Sequence, residues 1–287
     1  MLRHGALLFS LCVLFALPGC NLINPTEEVP TYLRVDSFQY NASPTLLATA
    51  SHKINTVYVY DAGSLLGIWE LPALIPVQSA DIGKKLLLLP GVDYNGIRGQ
   101  QVAYPFFQAD TLTVAPQPGM VQPYVAHTTY LANAKMIWSE NFELSNKMGI
   151  KLSGDTVVVP VSGAGQVFEG SRSGGVFLNS EGQSSESISN EGFAIDYKKE
   201  TYLELNYKNT VPVQVGLFTT PYATGEPYYE YLIGLKPSAE WNKVYIDLRA
   251  FAGNYQGAAY RLVLRVRDEG GAAGYALFDN IQVITTE

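Results

Sequence analysis

The chain has 287 residues, of which 47% are hydrophobic and 16% are charged, and its formal net charge is -7. This composition excludes an intrinsically disordered chain, and the negative charge argues against a surface that binds nucleic acid. Two cysteines are too few for a disulfide scaffold, whereas 19 tyrosines favour β-structure, and the length suffices for about two domains.

The N-terminus has the pattern of a secretory signal peptide. A basic start that contains Arg3 is followed at residues 6–17 by a largely apolar run of twelve residues, which is too short to cross a bilayer of about 30 Å as a helix. The segment closes with LPGC at residues 17–20. This ending resembles the lipobox of bacterial lipoproteins, and the resemblance implies a signal peptide over residues 1–19 and acylation of Cys20 by fatty acids such as palmitate.

Lipidation would anchor the mature chain to a membrane. Cys12 would leave with the signal peptide, so Cys20 would be the only cysteine of the mature chain, and each methylene of its acyl chains buried in lipid contributes about 0.8 kcal/mol. Residues 20–31 are predicted to be a lipidated tether. By resemblance to lipoprotein sorting signals, Asn21 implies the outer membrane, while the acidic pair at 27–28 leaves the periplasmic or surface face open. The alternative is a signal peptide without lipidation.

Residues 32–115 contain short alternating or apolar runs separated by glycine and proline, as expected for β-strands. The run VYVYDAGSLLGIWELPALIPV begins at Val57, and LLLLPGVDYNGIRG begins at Leu86. Their order resembles the small PEGA-like β-sandwich. Residues 116–135 contain three prolines and no clear hydrophobic period, so we predict a linker there.

Residues 136–287 show roughly ten strand-like runs with polar turns, which favours a sandwich or jelly roll. Three motifs occur in order: ENFE at 140–143, WNKVYIDL at 241–248 and FDNIQV at 278–283. Together they resemble the galactose-binding-like jelly roll of many carbohydrate-binding modules, in which the first and last strands pair. The predicted fold is all-β, with a small β-sandwich followed by a β-jelly-roll sandwich.

Five side chains of the second domain are candidates for ligand binding: Tyr222, Tyr228, Tyr229, Arg265 and Arg267. If residues 228–235 form a strand, Tyr229, Tyr231 and Ile233 share one face and Tyr228 lies on the other. One face must be core, so at most half of these tyrosines are available to a ligand. The two arginines share a face and suit an acidic sugar; the alternative is a solvated strand face paired with neighbouring acids.

The resemblance also implies a structural calcium ion where the first strand meets the last. Glu140, Glu143 and Asp279 would supply carboxylate oxygens, which Ca²⁺ prefers. The alternative is that Asp279 ends a strand and binds neighbouring amides. A zinc site is not expected, because His52 and His127 are isolated and no thiol is available. No cofactor is predicted to be required.

Catalytic motifs do not stand out in the sequence. No GxSxG, P-loop or GxGxxG pattern occurs in its expected context, so we do not expect an enzyme. The predicted function is that of a non-catalytic, membrane-anchored lipoprotein of the bacterial envelope that binds a glycan through its jelly roll. The alternative is a structural or assembly lipoprotein that binds another envelope protein, and nucleic acid is not an expected partner.

Overall fold

The computed structural model of the protein describes residues 28–41, 49–78, 83–180, 182–268 and 273–287. The predicted signal peptide, Cys20 and most of the tether lie outside these residues, so the lipidation stays a prediction. The described chain is nearly all β, which confirms the predicted fold class. Its helix α1 (Arg249–Asn254) has six residues, and no helix in this part of the chain could cross a membrane.

The first eight strands form two sheets around a common core, which we call the N-terminal sandwich. These strands are β1 (Thr31–Tyr40), β2 (Thr56–Asp61), β3 (Ser64–Glu70), β4 (Ala73–Val77), β5 (Lys84–Asp93), β6 (Gln101–Ala103), β7 (Asp110–Val114) and β8 (Val121–Thr128). One sheet has the strand order β4-β1-β8 and the other the order β3-β2-β5-β6, with β7 also paired to β5. Alternating residues such as Leu33 and Ile75 meet Val57 and Leu86 in the core.

Strand β8 lies within residues 116–135, which the sequence pattern predicts to be a linker. It runs parallel to β1 at the edge of its sheet, with Pro123 opposite Arg34. An edge strand tolerates proline, because not every N–H there pairs with a neighbour. The linker prediction is therefore corrected for these residues. Ala126 and Thr128 are among the inward-facing side chains, and such small or polar residues hide the hydrophobic alternation.

The remaining strands form the C-terminal sandwich. They are β9 (Ala134–Glu140), β10 (Ile150–Gly154), β11 (Val159–Val161), β12 (Ser173–Leu178), β13 (Ser184–Ile188), β14 (Thr201–Asn209), β15 (Val213–Pro221), β16 (Tyr228–Leu235), β17 (Ser238–Asp247), β18 (Gly257–Arg267) and β19 (Gly274–Thr286). One sheet, here the β16 sheet, has the order β10-β13-β18-β15-β16. The other, the β19 sheet, has the order β11-β12-β19-β14-β17, with β9 also paired to β19.

A large apolar core lies between these two sheets. It includes Leu203 and Val283 from the β19 sheet and Val215 and Leu264 from the β16 sheet, all fully buried. Strands β9 and β19 pair antiparallel, with Glu140 opposite Ile281, which confirms that the first and last strands of this region are neighbours. The β16 sheet therefore has one face sealed by the core and one face left for other contacts.

An aromatic cluster joins the two sandwiches, and it contains buried residues from both: Val92, Tyr104, Phe106, Phe107, Tyr130, Tyr202, Tyr245 and Ile284. The Tyr104 ring lies edge-on to Tyr202 at 5.3 Å between centroids, and it lies 4.7 Å from the Tyr245 ring. A backbone bridge between Tyr94 and Tyr245 adds a direct main-chain link. Apolar burial on this scale favours one fixed arrangement of the two sandwiches.

A buried ion pair lies inside this contact, and we call it and its partners the interface cluster. Glu204 Oε1 accepts hydrogen bonds from the Tyr104 hydroxyl at 2.6 Å and the Tyr130 hydroxyl at 2.7 Å. Lys243 Nζ lies 2.6 Å from Glu204 Oε2 and donates to the Ser51 carbonyl at 2.7 Å. The side chains of the two ions are 0% and 2% exposed. Each sandwich thus supplies hydrogen-bond partners to the same pair of charges.

Candidate functional site

One face of the β16 sheet points away from the C-terminal core and carries polar side chains. On β18, Leu264 and Val266 belong to the core. Arg265 and Arg267 therefore point to the opposite side, because successive residues of a strand alternate between faces. We call this side the outer face. It is the part of the C-terminal sandwich where polar and aromatic side chains of the predicted site meet.

A row of polar residues crosses the outer face. Glu186 lies opposite Arg265, and Arg265 lies opposite Gln214 on the next strand. Glu186 is only 5% exposed, and its carboxylate accepts hydrogen bonds from the hydroxyls of Tyr231 and Ser153. Arg265 Nη1 donates to Gln214 Oε1 at 3.3 Å, and its guanidinium lies 5.5 Å from the centre of the Tyr231 ring. These contacts hold the polar groups in place, and we call the five residues the outer-face cluster.

An exposed aromatic ring stands beside this cluster. Tyr229 is 41% exposed and lies opposite Phe218 of β15. Its ring meets Tyr231 edge-on, with centroids 5.9 Å apart. Of the five predicted ligand-binding residues, the structure thus places Tyr229 and Arg265 on the outer face on either side of Tyr231.

The other three predicted residues lie elsewhere. Tyr228 points to the opposite side of β16 and stacks on Tyr255, with ring centroids 4.2 Å apart. A hydrogen bond with the Tyr255 hydroxyl raises the pKa of Tyr228 to about 12. Tyr222 is 72% exposed beyond the end of β15, and Arg267 is exposed at the end of β18 opposite Ser184. Within the part of the chain that the structure describes, none of these three side chains contacts the outer-face cluster.

A β-bulge in β16 explains one departure from simple alternation. Ile233 lies opposite Val215 and packs against the core, whereas Tyr231 lies opposite Gly216, so one extra residue sits on β16 between them. The predicted shared face of Tyr231 and Ile233 is therefore wrong, because a bulge shifts the side chains by one position. Gly216 permits the close approach of the strands, since a Cβ there would lie 2.4 Å from the Glu230 carbonyl oxygen.

The carboxylates of the predicted calcium site are occupied by donors of the chain itself. Glu140 is buried and accepts the backbone N–H groups of Phe142, at 2.5 Å, and Lys147. Glu143 accepts the backbone N–H of Ser171 at 2.7 Å and also its hydroxyl. The Ser171 hydroxyl is the main cause of a lowered pKa at Glu143. Both carboxylates brace loops next to β9.

Asp279 binds the same segment as Glu143. Its Oδ2 accepts the Ser173 hydroxyl at 2.6 Å and the Glu169 N–H at 3.2 Å, and burial raises the pKa of Asp279. Both carboxylates therefore hold residues 169–173, but within the described ranges no three acidic, histidine or cysteine side chains form a group that could hold a metal. In the structure these carboxylates accept hydrogen bonds from loops, and the predicted calcium site stays a prediction.

Glu186 and Gln214 are site residues that the sequence pattern does not single out. Glu186 lies in SSESI, a strand with no apolar alternation. Its only local signal is a carboxylate within a run of small polar residues. Its neighbour across the sheet, Arg265, is 79 positions further along the chain. Strand pairing across the sheet is therefore needed to find this cluster.

Comparison with known proteins gives structural similarity only. No family model matches the chain, and no curated protein matches it. A carbohydrate-binding module of the β-sandwich superfamily, solved to explain promiscuous specificity, is 17% identical; the match covers 79% of this chain and 84% of that one, with a TM-score of 0.39.

Two further similar structures are also carbohydrate-binding modules. A family 61 module in complex with β-1,4-galactotriose is 15% identical over 50% of this chain and 92% of that one, with a TM-score of 0.35. The tandem family 22 modules of Paenibacillus barcinonensis Xyn10C are 14% identical over 54% of this chain and 47% of that one, with a TM-score of 0.38. With TM-scores below 0.5, these similarities do not assign a ligand to this chain.

Proposed function

We propose that the chain is a non-catalytic glycan-binding protein and that the outer face of the β16 sheet is its binding surface. The observation that carries the proposal is the exposed Tyr229 ring, which meets Tyr231 of the outer-face cluster edge-on while the Tyr231 ring contacts the braced Arg265. Sugars present apolar C–H groups on one side of the ring and hydroxyls at its edge. The electron-rich face of an aromatic ring suits the former, and charged or amide side chains suit the latter.

The braced geometry favours a neutral, hydroxyl-rich ligand. Arg265 is held by Gln214 and the Tyr231 ring, so little side-chain entropy is lost when it binds a hydroxyl. Glu186 contributes a carboxylate next to Arg265, and this negative charge would repel an acidic sugar at the same position. The outer face therefore offers the Arg265 guanidinium as a donor, the Gln214 amide and the Tyr229 ring as a stacking surface, while Glu186 acts through its charge.

A glycan microarray with the purified full chain tests the proposal, followed by calorimetric titration of the strongest neutral oligosaccharide. We expect Tyr229→Ala and Arg265→Gln each to weaken that binding about tenfold, which is about 1.4 kcal/mol. Tyr197→Ala is the matched control, because Tyr197 is 39% exposed and lies outside the outer face. Binding that is equally strong in Tyr229→Ala and in the control would refute the outer face as the site.

A second candidate function is binding of another envelope protein, and strand β3 favours it. This edge strand exposes Leu65, Leu66 and Ile68, each between 43% and 48%. Exposed apolar side chains on an unpaired sheet edge are typical of surfaces that contact other proteins. Absence of any array signal, together with a membrane protein that co-purifies with the chain and is lost in Leu66→Ser, would favour this function over glycan binding.

We also propose that the chain is anchored to the outer membrane through an acylated Cys20. The LPGC ending of the apolar N-terminal run and the following Asn21 support this location. Cys20→Ser should abolish incorporation of a labelled palmitate analogue and release the chain from the membrane fraction, whereas Cys12→Ser should do neither. Continued labelling of the Cys20→Ser chain would refute the anchor.

A further inference from the structure

A cleft lies where the two sandwiches meet, and we call it the junction cleft. It has a volume of about 590 Å³, within the range of about 300–1,000 Å³ typical of small-molecule sites. Its walls come from the loop after β5, the end of β16 and the middle of β17, with one residue each from the segment before β2 and from β14. The polar side chains that line it are those of Lys53, Asn95, Arg98, Tyr207, Lys236 and Asn242, with Lys243 at its inner end.

The charged residues that line the junction cleft are all basic although the whole chain carries a net charge of -7. No aspartate or glutamate is among its lining residues. Lys243 is neutralised by Glu204. Lys53, Arg98 and Lys236, in contrast, form no ion pair within 4.0 Å with any residue that the structure describes. Three cations that lack acidic partners thus face one concave space.

The walls of the cleft are fixed by contacts between the sandwiches. Asn95 Oδ1 accepts the backbone N–H of Asp247 at 2.8 Å, which ties the loop to β17. Gly96 has a φ of +69°, and a Cβ there would lie 2.8 Å from a Val244 methyl, so the loop packs closely against the strand. The Lys53 backbone N–H donates to the Tyr245 hydroxyl at 2.9 Å. The backbone walls of the cleft are therefore preformed, which lowers the cost of ordering on binding.

Neutral hydrogen-bonding groups lie among the cations. Asn242 Nδ2 donates to the Tyr207 hydroxyl at 2.9 Å, and this leaves other donor and acceptor positions of both groups for a ligand. An arginine side chain can bind a carboxylate or sulfate through two parallel hydrogen bonds, and lysine adds point charge. The combination of cations, amides and a hydroxyl fits a sugar that carries both anionic groups and hydroxyls.

We propose that the junction cleft binds an anionic oligosaccharide through its carboxylate or sulfate groups, with Arg98, Lys236 and Lys53 as the charged contacts. Asn95 and Asn242 would bind hydroxyls of the same ligand. This second site shares no residue with the outer-face cluster and does not rest on the function proposed for that face. It gives the chain one surface for a neutral sugar and another for an acidic one.

Calorimetric titration of the full chain tests this site with trigalacturonate, a sulfated trisaccharide, neutral cellotriose and an oligoglutamate peptide. At about 0.01 M salt, where the Debye length is about 30 Å, screening is weak. We expect trigalacturonate, the sulfated trisaccharide or both to bind, which identifies the anion, and binding to weaken at higher salt. The double variant Arg98→Gln/Lys236→Gln should lose at least about tenfold in affinity for the anionic sugar.

The matched control is Lys151→Gln/Lys199→Gln, which removes the same charge from exposed positions elsewhere. It should retain affinity, as should Tyr229→Ala on the outer face. An equal loss in both double variants would show general charge attraction and overturn the site. Three further results would also overturn the proposal. Loss of affinity for the anionic sugar in Tyr229→Ala would place that sugar on the outer face, and binding of oligoglutamate alone would show a peptide site. The third is that neither anionic sugar binds.

Discussion

Two clusters of the C-terminal sandwich use the same chemical groups in different surroundings. The interface cluster has Glu204 with Lys243, and the outer-face cluster has Glu186 with Arg265; in each, a tyrosine hydroxyl donates to the carboxylate. The first is covered by the N-terminal sandwich. The second has no further layer over it among the described residues, and it borders the exposed Tyr229.

The covered cluster shows how this chain joins two sandwiches. Burial of a carboxylate costs several kcal/mol unless opposite charge and hydrogen bonds replace the water it loses. Glu204 receives both, and the N-terminal sandwich provides the Tyr104 and Tyr130 hydroxyls and the Ser51 carbonyl. The ionic groups therefore favour this docking of the sandwiches, because another docking would leave the buried pair without the two tyrosine hydroxyls and the Ser51 carbonyl.

The outer-face cluster leaves part of its hydrogen-bonding capacity unused. Arg265 is braced by one amide and one aromatic ring, and Ser153, which donates to Glu186, is itself exposed. Water or a ligand can therefore reach Arg265 and Gln214, whereas Glu186 is 5% exposed. The same three groups thus form a joint between the sandwiches where a second layer covers them, and where none does they form the surface that we propose binds a sugar.

Loss of the cation should separate the two clusters most clearly. Lys243→Met leaves Glu204 buried without its positive partner, so we expect the free energy of unfolding to fall by about 3–5 kcal/mol. Arg265→Met is the matched change on the outer face and should cost no more than about 1 kcal/mol, since Glu186 forms no ion pair with Arg265 within 4.0 Å and keeps the hydrogen bonds of Tyr231 and Ser153. Urea denaturation of the unchanged chain and of the two variants measures both losses in the free energy of unfolding. Similar losses in the two variants would contradict the distinction between a covered and an open cluster.

Alkaline pH should act on the covered cluster. Burial, followed by the proximity of Glu204, raises the pKa of Tyr104, Tyr130 and Tyr245 well above the ordinary value of 10.0. Below that value these hydroxyls are protonated in both the folded and the unfolded chain, so their stabilising effect is complete. Above it the unfolded chain ionises first, and stability falls by up to about 1.4 kcal/mol per pH unit for each tyrosine.

Urea titrations at several pH values from neutral to strongly alkaline measure this decline, together with tyrosinate absorbance. The ionisation of the buried tyrosines should coincide with unfolding, whereas exposed tyrosines such as Tyr222 should ionise in the folded chain. A free energy of unfolding that stays constant well above pH 10.0 would show that water reaches the three hydroxyls.

The sequence predicts the all-β class because short alternating runs and polar turns are local signals, whereas the pairing of the first and last strands of the second region follows from the resemblance to the galactose-binding-like jelly roll. The strand β8 and the role of Glu186 could not be predicted from the sequence, for a physical reason. The inward side of β8 carries Ala126 and Thr128, and Glu186 lies in a strand of small polar residues, so neither gives a hydrophobic period.

Contacts between residues that are far apart in the sequence could not be predicted either. The bulge that turns Ile233 to the core depends on the close approach of β15 and β16 at Gly216. The interface cluster joins Tyr104 to Glu204, which are 100 positions apart. Such pairs are selected by the docking of whole sheets, and a single sequence carries no local pattern for them. Alternation within one strand predicts that Tyr228 and Tyr229 lie on opposite faces, but it does not say which face is core, and ligand binding by Tyr229 and Arg265 stays a prediction.

The smallest and most selective comparison uses one hydroxyl in each cluster. Tyr130→Phe and Tyr231→Phe both remove a hydroxyl that donates to a carboxylate and keep the ring. In the covered cluster the loss leaves a lone pair of Glu204 without a partner, so we expect a cost of about 1.5–3 kcal/mol. On the outer face a water molecule can replace the hydroxyl, so the cost should stay below about 1 kcal/mol.

Urea denaturation of the two variants and of the unchanged chain gives both costs, and titration with a neutral oligosaccharide found by the array adds a functional reading. Tyr130→Phe should leave that affinity unchanged, because its ring lies in the aromatic contact between the sandwiches. Tyr231→Phe should weaken it, because the hydroxyl orients Glu186 beside Arg265. Equal costs in stability would mean that water does not reach Glu186. The outer face would then be closed to a sugar in the same way as the interface, and its polar row would serve only to hold strands together.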